Sequence, residues 1–304
     1  MIEYYKKHGS FGLKKNNGLS KSSWVKVINP TENEVKFLLE KFKLDKDSLL
    51  DGLDQNEVPR VEEDGKLVYI YLRIPTSKLE NESTSSFLVI LSQDNIITIS
   101  RYDLEIFEKI SNSKLFDTTN KERSLLQLLF YVFRAYSLNV RRILKEVKSD
   151  RRNIRKLREK DIFDLVLQED ILNDYLSSFS PLIDMYNRIL KIRSLKFKEE
   201  EKEFIEDLVV DLNQTFNTCK TSLKTITNMR DYYSTTLTNN LNRVITVLTV
   251  FTIFLTIPTV ISSIYGMNIQ LPQQNNQFIF LLLAGITILI WIIAFIGFKK
   301  WKII

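Results

Sequence analysis

The sequence predicts an α+β membrane protein, with an amino-terminal α/β domain, a long helical stalk and two carboxy-terminal membrane-spanning helices. Three observations carry this reading. The 304 residues include only 8 glycines and 6 prolines beside 44% hydrophobic content, which favours long helices and a sizeable core over a turn-rich all-β fold or general disorder. Hairpin signals cluster in the first third of the chain, and 3.6-residue periodicity takes over from Lys121. Two long runs without a charge, 244–264 and 278–298, stand near the carboxy terminus.

The elements follow in chain order. Residues 1–10 contain Lys6, Lys7 and His8 but no apolar stretch, so no cleavable export signal is expected. Within the α/β domain, assigned to 1–120, Trp24–Ile28 is strand-like and Thr31 opens a helix reaching Phe42 through a Thr31-x-x-Glu34 capping box. A hairpin over 61–74 is expected to turn at Asp64-Gly65, and 87–91 to pair with 96–100 across Gln93-Asp94-Asn95. The stalk, 121–243, reads as helices near 122–160 and 162–195 and a third starting near Lys198. No helix breaker lies between Lys198 and Ile257, so the third helix is expected to enter the first span unbroken. At a rise of 1.5 Å per residue such a helix is about 95 Å long, too long to be held by its own hydrogen bonds. It needs neighbours, either the two preceding helices or copies of itself.

A hydrocarbon core of about 30 Å takes roughly 20 helical residues, and every backbone amide within it must be paired inside the protein. Each of the two runs meets that length. The segment between them, 265–277, carries no charge, whereas Arg243 precedes the first span and Lys299, Lys300 and Lys302 follow the second, in the tail 299–304. The positive-inside rule then places both termini in the cytoplasm of a multi-pass protein of the cell membrane. Trp291 is expected within the bundle and Trp301 near the inner interface.

Charge and composition narrow the function classes. The chain has 43 Lys+Arg and 37 Asp+Glu, and the segment 232–304 holds four of the basic groups and no acid. The segment 1–231 therefore carries 39 basic and 37 acidic groups. That near balance is no nucleic-acid surface. One cysteine, Cys219, and one histidine, His8, exclude an internal disulfide, a Cys/His zinc cage and conventional Ser-His-Asp or Cys-His machinery away from His8. No Gly-x-x-x-x-Gly-Lys-Ser/Thr loop is present, so direct energising by a nucleotide is not expected. Neither an enzyme nor an organic cofactor is predicted.

Steps of three and four from Asp231 trace Thr238, Asn242, Ile245, Leu248, Thr252, Leu255, Thr259 and Ser262, a heptad-like line that runs into the first span. It alternates polar with aliphatic groups. Such a line fits a tight helix seam, because small and hydroxyl residues favour close packing in lipid, and it fits a pore lined by one helix from each subunit.

Directly after the first span stand Tyr265-Gly266-Met267-Asn268 and Ile269-Gln270-Leu271-Pro272. With this motif between two closely spaced carboxy-terminal spans, after a long charged helical domain, the sequence resembles the CorA magnesium transporter family. The signature of that family is Tyr-Gly-Met-Asn at the outer end of the first of two such spans. The resemblance implies a funnel-shaped homopentamer around one central pore, with Mg²⁺ both transported and regulatory. Its partners would be copies of itself, the lipid bilayer and divalent cations. It implies ion selection at Gly266, Met267 and Asn268, pore-lining polar groups at Thr259 and Asn242, a hydrophobic constriction at Ile245 and Leu248, and an acidic ring at Asp231. It further implies a basic collar at Lys299, Lys300 and Lys302, and a Mg²⁺-sensing site between subunits in which Asp207 faces Asp51 of the neighbour. Leu50 stands where the family has a second acid, and Gln273 and Gln274 stand where many relatives carry a glutamate.

Mg²⁺ is small, octahedral and slow to give up water, so gripping it through its hydration shell is the cheaper route. A ring of Asn268 amides can accept hydrogen bonds from the bound waters, while Gly266 lets the backbone turn where a Cβ would obstruct it. With no formal charge at Gln273 and Gln274, capture rests on oriented amide dipoles. Pro258 sits one place nearer the signature than in the best-known relatives and is expected to bend the helix at a slightly different level. Relatives devoted to zinc tend to have valine where Met267 stands, which favours Mg²⁺ over Zn²⁺ and leaves Co²⁺ and Ni²⁺ as alternative cargoes beside it. The alternative from another class is a membrane-anchored scaffold or sensor whose helices enclose no conducting path.

Overall fold

Alternating apolar residues in the first third of the chain build one mixed sheet from β1 (Ile2–Lys7), β2 (Leu13–Asn16), β3 (Trp24–Ile28), β4 (Arg60–Asp64), β5 (Leu67–Pro75), β6 (Thr84–Leu91) and β7 (Ile96–Ser100). The computed structural model describes residues 1–8, 12–76, 83–152, 154, 158–269, 271 and 278–300. The strand order is β2-β1-β3-β7-β6-β5-β4. Only β3 and β7 are parallel among these neighbours, with Trp24 opposite Ile96.

The expected local signals form. Thr31 Oγ1 accepts the Glu34 N–H at 3.4 Å and Glu34 Oε2 accepts the Thr31 N–H at 2.9 Å, closing the capping box of α1 (Glu32–Phe42). Phe87 pairs with Ser100 and Leu91 with Ile96. The β4–β5 turn falls one residue later than expected: Asp64 pairs with Leu67, which leaves Gly65-Lys66 as the turn. The sequence pattern did not reveal β1, β2, α2 (Lys46–Asp51) or α3 (Glu105–Ser111). β2 is an edge strand rich in lysine, and an edge tolerates charge, so no apolar alternation marks it.

Alternation along the strands feeds two cores. Trp24, Ile70, Leu72, Phe87 and Val89 join α3, α4 (Lys121–Arg152) and α5 (Glu159–Ile189) on one face. Val25, Val27, Tyr69, Leu88 and Ile90 meet Leu38 of α1 and Leu49 of α2 on the other. Covered on both faces, the central strands therefore read as near-continuous apolar runs.

The chain divides into two units, Met1–Met229 and Arg230–Ile304. One helix, α6 (Glu199–Tyr265), has residues in both and is 67 residues long. It starts where the Lys198 N–H meets Glu201 Oε2 at 2.9 Å, and three glutamates in its first turn offset the helix dipole. Within the first unit it buries Ile205, Leu212, Cys219 and Ile226, and between them Leu208, Thr215, Ser222 and Met229. Both series step by seven, the signature of a coiled-coil seam. α4 spans Lys121–Arg152, with part of the stretch toward the expected 160 outside the described residues, and α5 starts at Glu159 and ends at Ile189, short of the expected 195. These helices supply the neighbours that α6 needs here, since the apolar members of its seam share their core.

Gly52, the C-cap of α2, packs onto β6. A Cβ there would stand 2.4 Å from Leu88 Cδ2 and 2.7 Å from Leu88 Cβ, while Ser86 Oγ donates to the Gly52 carbonyl at 2.7 Å. Gly52→Ala is expected to cost about 1–3 kcal/mol by overpacking. The check is the apparent Tm of the purified protein; an unshifted Tm contradicts the close packing.

Candidate functional site

The second unit contains the remainder of α6 and α7 (Ile279–Lys300). Both helices are long and apolar enough to cross a membrane. α7 buries no residue, and residues 244–264 of α6 bury only Val250. A core helix of a soluble protein would be covered. From Thr246 onward, the mostly covered residues of α6 are Thr246, Val250, Phe254, Ile257, Pro258, Ile261 and Tyr265, which recur at intervals of mostly three and four and make one face. α7 packs there: the Phe254 ring lies 5.9 Å from that of Trp291 and 6.4 Å from that of Phe298.

The predicted stripe occupies the other side. At about 100° per residue, Leu248, Thr252, Leu255 and Thr259 point away from the Phe254 face. Every residue of the line from Asp231 to Ser262 is exposed. Ile245, Leu248 and Leu255 expose 59%, 63% and 53% of their surface, a run of apolar area that calls for lipid or another subunit. The hydroxyls have a defined orientation. Thr238 Oγ1 donates to the Ser234 carbonyl at 3.0 Å, Thr252 Oγ1 to Leu248 at 2.9 Å and Thr259 Oγ1 to Leu255 at 2.8 Å. Each proton is spent on the helix itself, so the free lone pairs of these oxygens are what the stripe offers.

α6 stops at Tyr265. The Gly266 N–H donates to the Ser262 carbonyl at 2.9 Å and the Met267 N–H to that of Ile264 at 3.3 Å, which closes the last turn. Among the described residues the glycines of positive φ are Gly12 and Gly65, so what Gly266 offers is space and not handedness. A Cβ on it would lie 3.1 Å from the Ser262 carbonyl oxygen and 3.7 Å from that of Ser263. Met267, Asn268 and Ile269 follow, all exposed. Pro272, Gln273 and Gln274 lie outside the described residues.

A model of the CorA-like Mg²⁺ transporter protein family matches residues 20–300. The chain belongs to this family. It is similar to the cobalt/magnesium transport protein CorA of Methanocaldococcus jannaschii, 26% identical over 287 residues that cover 90% of this chain and 89% of that one. It is also similar to the magnesium transport protein CorA of Helicobacter pylori, 24% identical over 318 residues and 99% of each chain. The complete structure of the M. jannaschii CorA magnesium transporter superposes with a TM-score of 0.81 at 23% identity, over 99% of this chain and 98% of that chain. This last likeness establishes a shared CorA fold.

The other residues that the CorA resemblance singles out are spread through the chain. Lys299 and Lys300 are exposed in the last turn of α7, where positive charge suits the dipole; Lys302 and Trp301 lie outside the described residues. Asp207 is exposed on α6, beside the buried Ile205 and Leu208. Asp51 ends α2, and its carboxylate accepts from Arg60 Nη2 at 2.8 Å. Arg60 also pairs with Glu57 and with Glu62, the latter at 2.7 Å, and lies 3.9 Å from the Tyr71 ring centre. The sequence reading missed Arg60, although Asp51, Glu57 and Glu62 all lie close to it in the chain. Among the described residues, no group of three or more His, Cys, Asp or Glu side chains could hold a metal within one chain.

Cys219 offers no reactive thiol. It is buried in the α6 seam, donates to the Leu172 carbonyl at 3.4 Å, and burial pushes its pKa up to about 12. Against an ordinary cysteine pKa of about 8.5, the native thiolate fraction at pH 8 falls by roughly three orders of magnitude. Maleimide labelling at pH 8 is therefore expected to be negligible for the native protein and rapid in denaturant; equal rates would contradict the burial.

Proposed function

We propose that the protein carries divalent cations, Mg²⁺ foremost, inward across the cell membrane, along a path lined by the α6 stripe of identical subunits. The observation that carries this reading is the uncovered face of α6 opposite α7, with its apolar and acceptor groups, ending at Gly266-Met267-Asn268. Relatives named as magnesium and cobalt/magnesium transport proteins support the choice of cargo, and the second name supports Co²⁺ as a further cargo. Arg243, Lys299, Lys300 and Lys302 favour cytoplasmic termini.

The chemistry fits a hydrated ion. Water bound to Mg²⁺ points its hydrogens outward, so a path that keeps the hydration shell needs acceptors, not additional ligands. Exposed Asn268 supplies an amide oxygen at the mouth. Thr252 and Thr259 supply hydroxyl oxygens whose own protons are already engaged. Ile245 and Leu248 form an apolar stretch able to gate by dewetting, and Asp231 adds negative charge beyond it. A homopentamer turns each such group into a ring and buries the apolar area that a single chain leaves bare.

Regulation by intracellular Mg²⁺ completes the proposal. Asp207 of one subunit and Asp51 of the next repel one another unless a cation lies between them, so occupancy would hold neighbours together and loss of the ion would loosen them. The carboxylate donors suit Mg²⁺, but Arg60 competes for Asp51.

Two outcomes test these readings. Liposomes containing the purified protein and a Mg²⁺-sensitive dye are expected to show influx that Asn268→Ala lowers at least about tenfold, roughly the loss of 1.4 kcal/mol. Equal influx through both proteins, or none through the wild type, would sink the transport reading. In limited proteolysis across millimolar Mg²⁺, Asp207→Ala should need more Mg²⁺ for protection and Arg60→Gln less. Cleavage that ignores Mg²⁺ in the wild type removes the regulatory site.

A further inference from the structure

Pro258 lies inside α6, four residues after Phe254. A proline has no N–H, and its ring crowds the carbonyl four residues earlier, so the Phe254 carbonyl loses its helical donor and is pushed off the helix axis. In hydrocarbon no water replaces that donor. α7 replaces it. Trp291 Nε1 donates to the Phe254 carbonyl oxygen at 2.8 Å, with the Trp291 and Phe254 rings 5.9 Å apart.

The same bond resolves a second mismatch. Membrane tryptophans favour the headgroup interface, where the indole N–H meets water, yet Trp291 stands near the middle of the 22-residue α7. An indole N–H is a donor only, and at that depth it needs an acceptor; in an intact helix each carbonyl already holds a backbone donor. Pro258 frees the Phe254 carbonyl. The proline on one helix and the tryptophan on the other are each unfavourable alone and compatible together.

We propose that Trp291 is a positioning residue for the conduction path. Its indole N–H stands in for the backbone donor that Pro258 withholds, and so pins α6 to α7 at the level where Leu255 and Thr259 face away from α7. This fixes the rotation of the lining face about the helix axis. The hydrogen bond stands on geometry alone; its consequence for ion flux rests on the transport reading above.

A double-mutant cycle in the full-length protein separates the two. Trp291→Phe removes the N–H and keeps an aromatic ring, whereas Pro258→Ala restores a backbone N–H to Phe254; Pro258→Leu serves the same end should the alanine variant not fold. With Pro258 in place, Trp291→Phe is expected to lower the apparent Tm by about 2–4 °C and Mg²⁺ influx several-fold. In the Pro258→Ala background the same substitution should change both by less than half as much, because Phe254 no longer depends on α7. Equal losses in both backgrounds, or no loss in either, overturn the bond as the source of the effect. Coupled Tm values with unchanged influx overturn the positioning role. If the wild type carries no Mg²⁺, the transport reading fails while the Tm cycle still decides the bond.

Discussion

A backbone carbonyl or hydroxyl inside hydrocarbon has no water to fall back on, and this one constraint governs how the second unit is built. α6 answers it by staying helical from Glu199 to Tyr265, through its only proline. The threonines of its apolar part turn their hydroxyls back onto carbonyls four residues earlier: Thr246 onto Asn242, Thr249 onto Ile245, Thr252 onto Leu248, Thr256 onto Thr252 and Thr259 onto Leu255. That habit lets a polar residue sit at membrane depth, and it sorts lone pairs from protons. The structural need to satisfy every donor and the need for acceptors along the proposed cation path are met by the same rotamer.

In the first unit water is available, and apolar burial governs instead. The sheet is covered on both faces, by α1 and α2 on one side and by α3, α4 and α5 on the other, and α6 joins the latter core through residues spaced by seven. That seam commits Ile205, Leu212, Cys219 and Ile226 to packing. Exposed residues between them, Asp207 among them, stay free to face another molecule. A seam at one register thus defines which part of the helix is left for contacts.

The same division explains what could be read from the sequence. Features set by neighbours in the chain were legible: the Thr31–Glu34 cap, the pairing of Phe87–Leu91 with Ile96–Ser100, the two apolar spans and the unbroken course of α6. The β4–β5 turn falls one residue later than its Asp-Gly signal because Asp64 stays in the ladder opposite Leu67 and Gly65, at φ 57°, takes the first turn position. The end of α5 extends less far than its periodicity, since Ile192 and Leu195 keep the apolar spacing and are buried in the same core although the helix stops at Ile189. Arg60 among three carboxylates has no sequence signature of its own, because only the fold of β4 against α2 brings Asp51, Glu57 and Glu62 around it. The bond from Trp291 to the Phe254 carbonyl joins residues 37 apart, and no local pattern announces it.

In the transporter proposed above, one chain alone is not the working unit. A lone Asn268 amide in water binds a hydrated ion no better than water does, and a lone stripe exposing Ile245, Leu248 and Leu255 has nothing to constrict. Both acquire meaning only when copies surround an axis, because a ring multiplies weak acceptors without adding a charge that would trap the ion. The chain is prepared for that in a specific way. α7 occupies the face of α6 opposite the stripe, so the face it leaves uncovered is the one that carries the acceptors. A charged ring at the same level would bind a divalent ion more tightly and release it more slowly. On the transport proposal, amides and hydroxyls along the path, with the only acid of the line at Asp231, trade affinity for passage.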